Sequence, residues 1–154
     1  MVDVENCCGT GLPSAAAVEA MFLGYRSVAA VGLADHGVAS ASRSAIGRIV
    51  FSLLPQLRWV PGGSGPDAAD LALLGAVDEG HVARRYQRLV IASGDHAFAP
   101  LAGRMAATGM EVVVVALRGG LNRELASAAT RIAYLPAAAS EPVLPPPVPL
   151  RRAS

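Results

Sequence analysis

The sequence predicts an α/β domain of three layers, with helices on both faces of a central, mainly parallel sheet of five or six strands. Three observations carry that expectation. Short apolar runs alternate along the chain with longer Ala- and Leu-rich stretches, the order that strand–helix–strand crossovers require. Two of the runs, "RLVIAS" and "MEVVVVAL", are almost continuously apolar, as strands covered on both faces are. The 154 residues, 53% of them hydrophobic, are enough to fill one buried core.

In chain order, "MVDVENCC" reads as the first strand, and "PSAAAVEAMFLGYR" as a helix with Pro13 near its first turn. "SVAAVGLA" reads as a second strand, which makes Asp35 and His36 its carboxyl end. "SRSAIGRIVFSLL" reads as a helix stopped before Pro55, and "LRWV" as a short strand ended by Pro61 and "GGSG". "DAADLALLGAVDEG" reads as one helix closed by Gly80. "RLVIAS", the helix "AFAPLAGRMAATG", "MEVVVVAL", the helix "NRELASAAT" and "RIAYLP" complete the alternation. From Pro136 the composition changes to "PAAASEPVLPPPVPLRRAS", where six prolines remove backbone donors and favour an extended tail. The expected division is therefore a domain over 1–135 and a Pro-rich, disordered tail over 136–154 that is suited to recruiting a protein partner.

Charge and cysteine usage narrow the classes. All 13 basic residues are arginine, and the net charge of +1 supplies no global pull toward nucleic acid or membrane. No apolar run approaches the roughly 18 residues a membrane helix needs. The acidic start "MVDVEN" is unlike a secretory signal. Cys7 and Cys8 are adjacent, too few for a zinc site and poorly placed for a disulfide; they read as packing thiols in a reducing, cytoplasmic setting. Trp59 reads as core. The apolar composition is compatible with a homo-oligomer.

In a parallel α/β sheet, functional groups gather at the carboxyl ends of the strands. Asp3 and Glu5 leave the first strand two residues apart, which for a strand puts them on one face, and Asn6 follows. Asp67 and Asp70 follow the third strand; Ser93, Asp95 and His96 follow the fourth. Asp67 and Asp95 also suit helix caps. Asp3 is harder to explain as a cap, because an acid within a central apolar strand is buried and needs a partner. Carboxylates that converge repel one another unless a proton or cation neutralises them. Hard oxygen clusters suit Mg²⁺ or Mn²⁺, which can activate water against a phosphodiester. Arg43, Arg48, Arg118 and Arg123, with Asn122, lie in or beside loops at the same expected edge and could contact phosphates.

Read together, "VDVEN", "GPDAADLAL" and "IASGDHAFAPLAGRMAATGMEVVVVALRGGLNRELASAATRIAYL" resemble the NYN domain, a relative of the PIN-type nucleases. The resemblance spans residues 2–135. Its most specific part is a Ser-Gly-Asp-x-Asp-Phe-x-Pro-Leu element. It implies a PIN-like Rossmannoid fold and a metal-dependent ribonuclease acting on single-stranded or structured RNA. By position it assigns Asp3, Asp70 and Asp95 to catalysis and metal binding, with Asn6 beside them and Asp70 matching the mid-chain acid better than Asp67; the neighbouring Glu5, Asp67, Ser93 and His96 are expected in support. Where the family element often carries its second aspartate, this chain has Ala97. That departure keeps a catalytically inactive RNA-binding module open as an alternative. A third reading, a Rossmann-type nucleotide binder, rests on "GTGLPS" after the first strand and on Asp35 as a ribose acid.

Overall fold

The computed structural model of the chain describes residues 1–32, 35–49, 57–63, 65 and 67–136, without the side chains of 48 and 49. The expected tail over 136–154 lies, beyond Pro136, outside the described residues.

The chain opens with a two-residue strand, β1 (Val2–Asp3), and turns at once into α1 (Val4–Cys8). "MVDVENCC" is thus mostly helical. Asp3 stops the strand because it is an N-cap: its backbone is extended and its Oδ1 accepts the Asn6 N–H. Gly9, in the left-handed region at φ 68°, closes the helix. Helix α2 (Ala15–Ala29) starts from a Ser14 cap and runs through Ser27–Ala29, so among the described residues of "SVAAVGLA" no strand forms. The reason is the stripe of Val18, Met21, Phe22, Tyr25 and Ala29, whose helical spacing continues into that stretch. The second strand, β2 (Gly37–Ala41), lies later, in the weakly β-forming "GVASA". Helix α3 (Arg43–Ile49) and β3 (Leu57–Pro61) follow.

The expected helix over 67–80 is two helices, α4 (Ala68–Gly75) and α5 (Glu79–Arg85). Asp78 interrupts them by capping α5 through the His81 N–H at 2.8 Å. The remaining elements match their expected places: β4 (Arg88–Ala92), a single 3₁₀ turn (His96–Phe98), α6 (Ala99–Ala107), β5 (Glu111–Ala116), α7 (Arg123–Ala128) and β6 (Arg131–Tyr134).

The six strands form one all-parallel sheet in the order β3-β2-β1-β4-β5-β6. The order reverses between β1 and β4, and β1 is the shortest strand of the sheet. One face carries Val2, Ala39, Ala41, Ala92, Val113 and Val115, packed against the α2 stripe. Trp59 joins this core edge-to-face with Phe22 at 6.2 Å. Cys7 is buried there, and its thiol donates to the Ala92 carbonyl at 3.2 Å. The opposite face carries Ile91, Val112 and Val114 under Leu73 of α4, Phe98, Leu101 and Met105 around α6, and Leu125 of α7. Two independent apolar cores thus sandwich the sheet, and the three layers are those the alternation predicts.

Two glycines set how closely the loops at the carboxyl edge approach. A Cβ on Gly94 would stand 2.0 Å from the Gly120 carbonyl oxygen, where the loop after β5 crosses the end of β4. A Cβ on Gly62 would stand 3.0 Å from both the Ala41 oxygen and the Ala69 Cα, where α4 begins. Gly94→Ala is therefore expected to force a backbone shift and destabilise the protein by about 1–3 kcal/mol. Gly103→Ala, in the middle of α6 with open space around it, should be neutral or stabilise by up to about 1 kcal/mol. Urea-unfolding midpoints of the two variants check the pair; equal midpoints would refute the close-approach explanation.

Candidate functional site

The register places a row of side chains across the carboxyl end of the sheet. Asp3 aligns with Ser40 of β2. Because Val2 aligns with Ala92, Ser93 is next to Asp3 on the other side. Alternation puts these residues on the face covered by α4, α6 and α7. Asp3 is 5% exposed and Ser40 and Ser93 are fully buried.

Asp3 uses both oxygens. Oδ1 accepts the Asn6 N–H at 3.2 Å and Oδ2 accepts the Ser93 hydroxyl at 3.0 Å. The Ser93 Oγ in turn accepts the Asp95 N–H at 3.1 Å. The Asn6 carboxamide oxygen, projecting from α1, accepts the Gly94 N–H at 2.8 Å, and the Gly94 carbonyl accepts the Asn122 N–H at 2.8 Å. The Ser-Gly-Asp turn is thereby tied to α1 on one side and to the loop after β5 on the other. Ser40 Oγ has no hydrogen-bond partner among the described residues.

Asp70 approaches from α4 over the same sheet face. Its carboxyl is pushed up to about 7, first by burial, then by the charges of Asp3 and Asp95, a hydrogen bond shared with Asp3, and the charge of Asp67. Asp3 is raised as well, chiefly by burial, against the lowering effect of its hydrogen bonds to Asn6 and Ser93. Burial and the proximity of the other acids thus favour the protonated form of both carboxyls. Asp95 faces the same space but also caps the 3₁₀ turn, its Oδ1 accepting the Ala97 N–H at 2.7 Å and lying 3.0 Å from His96 Nδ1. Asp67 occupies the N-cap position of α4 at φ 57°, a left-handed conformation uncommon outside glycine, yet makes no side-chain cap bond. The cap expected of it is absent.

These acids line one open cleft of about 590 Å³ at the point where the strand order reverses. Asp3, Glu5, Asn6, Asp67, Asp70 and Asp95 all face it. Glu5 reaches it from α1, not from a strand, with its Oε2 accepting the Ser42 N–H at 3.2 Å. The wall also includes Gly9, Thr10 and Gly11 of the "GTGLPS" run, and Gly63 and Gly65 of "PGGSG", with Gly120, Leu117, Ala68 and Ala69; Ser42, which joins them, belongs to no motif that singles it out.

Among the described residues, no three His, Cys, Asp or Glu side chains stand together ready to hold a metal ion. What the structure brings together is the Asp3–Asp70 contact, with Asp95 and Asp67 in its field. In kind the donors fit Mg²⁺ or Mn²⁺: hard oxygens, an excess of negative charge and room for retained waters.

Of the expected rim residues, Arg43 opens α3, Arg118 follows β5 and Arg123 opens α7, all exposed at the carboxyl edge. The side chain of Arg48 is outside the described residues. Asn122 is occupied as the α7 cap, its Oδ1 accepting the Glu124 N–H at 2.8 Å. Asp35 and His36 precede β2 and lie at the opposite, amino edge, where Asp35 accepts the Gly32 N–H and His36 Nδ1 is 2.7 Å from the Tyr86 hydroxyl. Gly9 closes α1 instead of following a strand directly. The nucleotide-binder reading loses both of its supports.

A raised carboxyl makes the folded state hold a proton that the unfolded chain releases between about pH 4 and 7. Stability therefore falls as pH rises through that window, and the loss is complete above about 7. The melting temperature of the wild type should decline from pH 5 to 8, and Asp70→Asn should flatten the decline. Thermal melts across that range check it; parallel curves for the two proteins would count against the Asp3–Asp70 contact.

The family model of the NYN domain matches residues 2–136. No curated protein matches the chain. Among solved structures, a protein of unknown function from Vibrio parahaemolyticus is similar at 17% identity and a TM-score of 0.43, over 65% of this chain and 69% of that one. The match of the family model over nearly the whole described chain, together with a six-stranded parallel sheet between helical layers, gives the assignment: the chain belongs to the NYN domain family, whose fold is that of the PIN-like nucleases.

Proposed function

We propose that this protein is a divalent-metal-dependent ribonuclease that hydrolyses phosphodiester bonds in the cleft at the carboxyl ends of β1 and β4. The observation that carries the reading is the convergence of Asp3, Asp67, Asp70 and Asp95 on one cleft at the carboxyl edge of the sheet. Such a cluster is unfavourable at neutral pH unless something positive joins it, and it lies at the switch point of a nuclease fold.

In this reading Asp3, Asp70 and Asp95 would hold Mg²⁺ or Mn²⁺ through their carboxylates and retained waters. The ion, when bound, supplies Lewis acidity for the attacking water and neutralises charge building on the phosphate. The chain's own residues do the positioning. Ser93 orients Asp3 and the Asp95 backbone together. Asn6 fixes the turn that carries Asp95. Glu5 and Asp67 add negative charge to the wall, and His96 stands beside the Asp95 carboxylate. Arg43, Arg118 and Arg123 provide cationic points on the rim for the RNA backbone. The free thiols of Cys7 and Cys8, both with raised pKa from burial, suit a cytoplasmic setting. Among the described residues no helix is long and apolar enough to cross a membrane.

A second reading, an RNA-binding module without activity, has one specific support. Position 97 offers only a methyl group, while Asp3 and Asp95 each commit an oxygen to a cap.

Cleavage of labelled single-stranded and structured RNA separates the two. With Mn²⁺ or Mg²⁺ the wild type is expected to cut, and Asp3→Asn and Asp95→Asn to lose at least about 100-fold in rate, roughly 2.7 kcal/mol of barrier. Equal rates in all three proteins would mean contaminating nuclease and would leave the binding module. Ala97→Asp should tighten Mn²⁺ binding measured by calorimetry, and unchanged affinity would mean that position 97 does not serve the ion.

A further inference from the structure

We infer that Arg118 and Tyr134 form a base-stacking platform beside the cleft, which selects single-stranded RNA; the inference rests on the ribonuclease reading above. Tyr134 is the last residue of the edge strand β6 and remains 38% exposed. The Arg118 guanidinium lies over its ring, 5.0 Å from the centroid. Arg118 belongs to the turn after β5 whose Leu117 and Gly120 line the cleft. Among the described residues Arg118 has no carboxylate partner.

The register fixes where this pair stands. Tyr134 aligns with Ala116, and Val115 with Ala92. Ser93 thus aligns with Ala116, and Asp3 with Ser93, in one row on one face of the sheet. Tyr134 therefore stands three strands from Asp3, roughly 14 Å at the usual interstrand spacing. That places the pair a few nucleotides from the acidic cluster, on the same face and at the same edge.

Chemistry makes the pair selective. A surface aromatic ring with a guanidinium over it offers a π surface beside a positive charge. The π surface accepts an unpaired base, and the charge accepts the phosphate next to it. In duplex RNA the bases are already stacked inside the helix and cannot reach the platform without unpairing. Arg123, at the start of the following helix, extends the positive charge along the same rim. Such a flank also suits an otherwise acidic cleft, because it draws the strand by groups remote from the carboxylates.

Fluorescence anisotropy with a labelled oligouridylate tests this, with Ca²⁺ in place of Mg²⁺ or Mn²⁺. A fully abasic strand of the same length and a blunt RNA duplex serve as second and third probes. Tyr134→Ala is expected to weaken binding of the base-bearing strand about tenfold and of the abasic strand less than twofold. Tyr134→Phe, which keeps the ring, should stay within twofold on every probe. Arg118→Ala should weaken both single strands, because it removes the positive charge. The platform is overturned if Tyr134→Ala binds the oligouridylate like the wild type, if it loses equally on the abasic strand, or if the wild type prefers the duplex. If those results accompany normal RNA cleavage by the wild type, the ribonuclease reading stands and only the platform falls. If the wild type binds none of the three probes and cuts no RNA, both fall together.

Discussion

A single carboxylate at the centre of the sheet organises the rest of this molecule. Asp3 ends β1 after two residues because its side chain satisfies the first free N–H of α1. The same side chain takes the Ser93 hydroxyl from the neighbouring strand and meets Asp70 from the helix above. A buried acid is costly unless its oxygens are satisfied. Here the partners come from three separate segments, so that fixing the acid also fixes those segments relative to one another. The cleft is the by-product: α1 turns away from the sheet, the Ser-Gly-Asp turn is held level with it, and α4 is drawn over the gap.

Stability and chemistry pull against each other at this point. The acids of α4 and the strand ends raise one another's pKa, which is a cost borne by the folded state at neutral pH. The two apolar cores on either side of the sheet supply the compensation, through fully buried Val2, Val113 and Val115 on one face and Leu73, Ile91, Phe98 and Leu125 on the other. Local strain lies in the same place, with Asp67 held in a left-handed conformation.

Much of this was legible in the residues. β4 and β5 announce themselves because central parallel strands are apolar on both faces, and the acids after β1, β3 and β4 stand where a parallel sheet must collect its polar groups. What misled was local. β2 is "GVASA", whose small residues carry little β signal but let α2 and α3 pack close over it. The valines of "SVAAV" suggested a strand, while the stripe begun at Val18 kept the helix going. Glu5 was placed by a period of two, although an aspartate followed three residues later by asparagine and then by glycine is the pattern of a short capped helix. The Asp3–Asp70 contact joins residues 67 positions apart and has no local signature; only the shared edge of the sheet foretold it.

The shortness of β1 has a mechanical consequence. Among the described residues its two residues alone join β2 to β4, and the ladder to β4 aligns a single residue pair, Val2 with Ala92. The sheet is in effect two three-stranded wings stitched along a narrow seam. Opening along that seam breaks fewer backbone bonds than parting β4 from β5 or β2 from β3. Because the seam runs directly beneath the acids, any flexing of the wings changes the gape of the cleft first, and a strand threaded there would act as a splint across the joint.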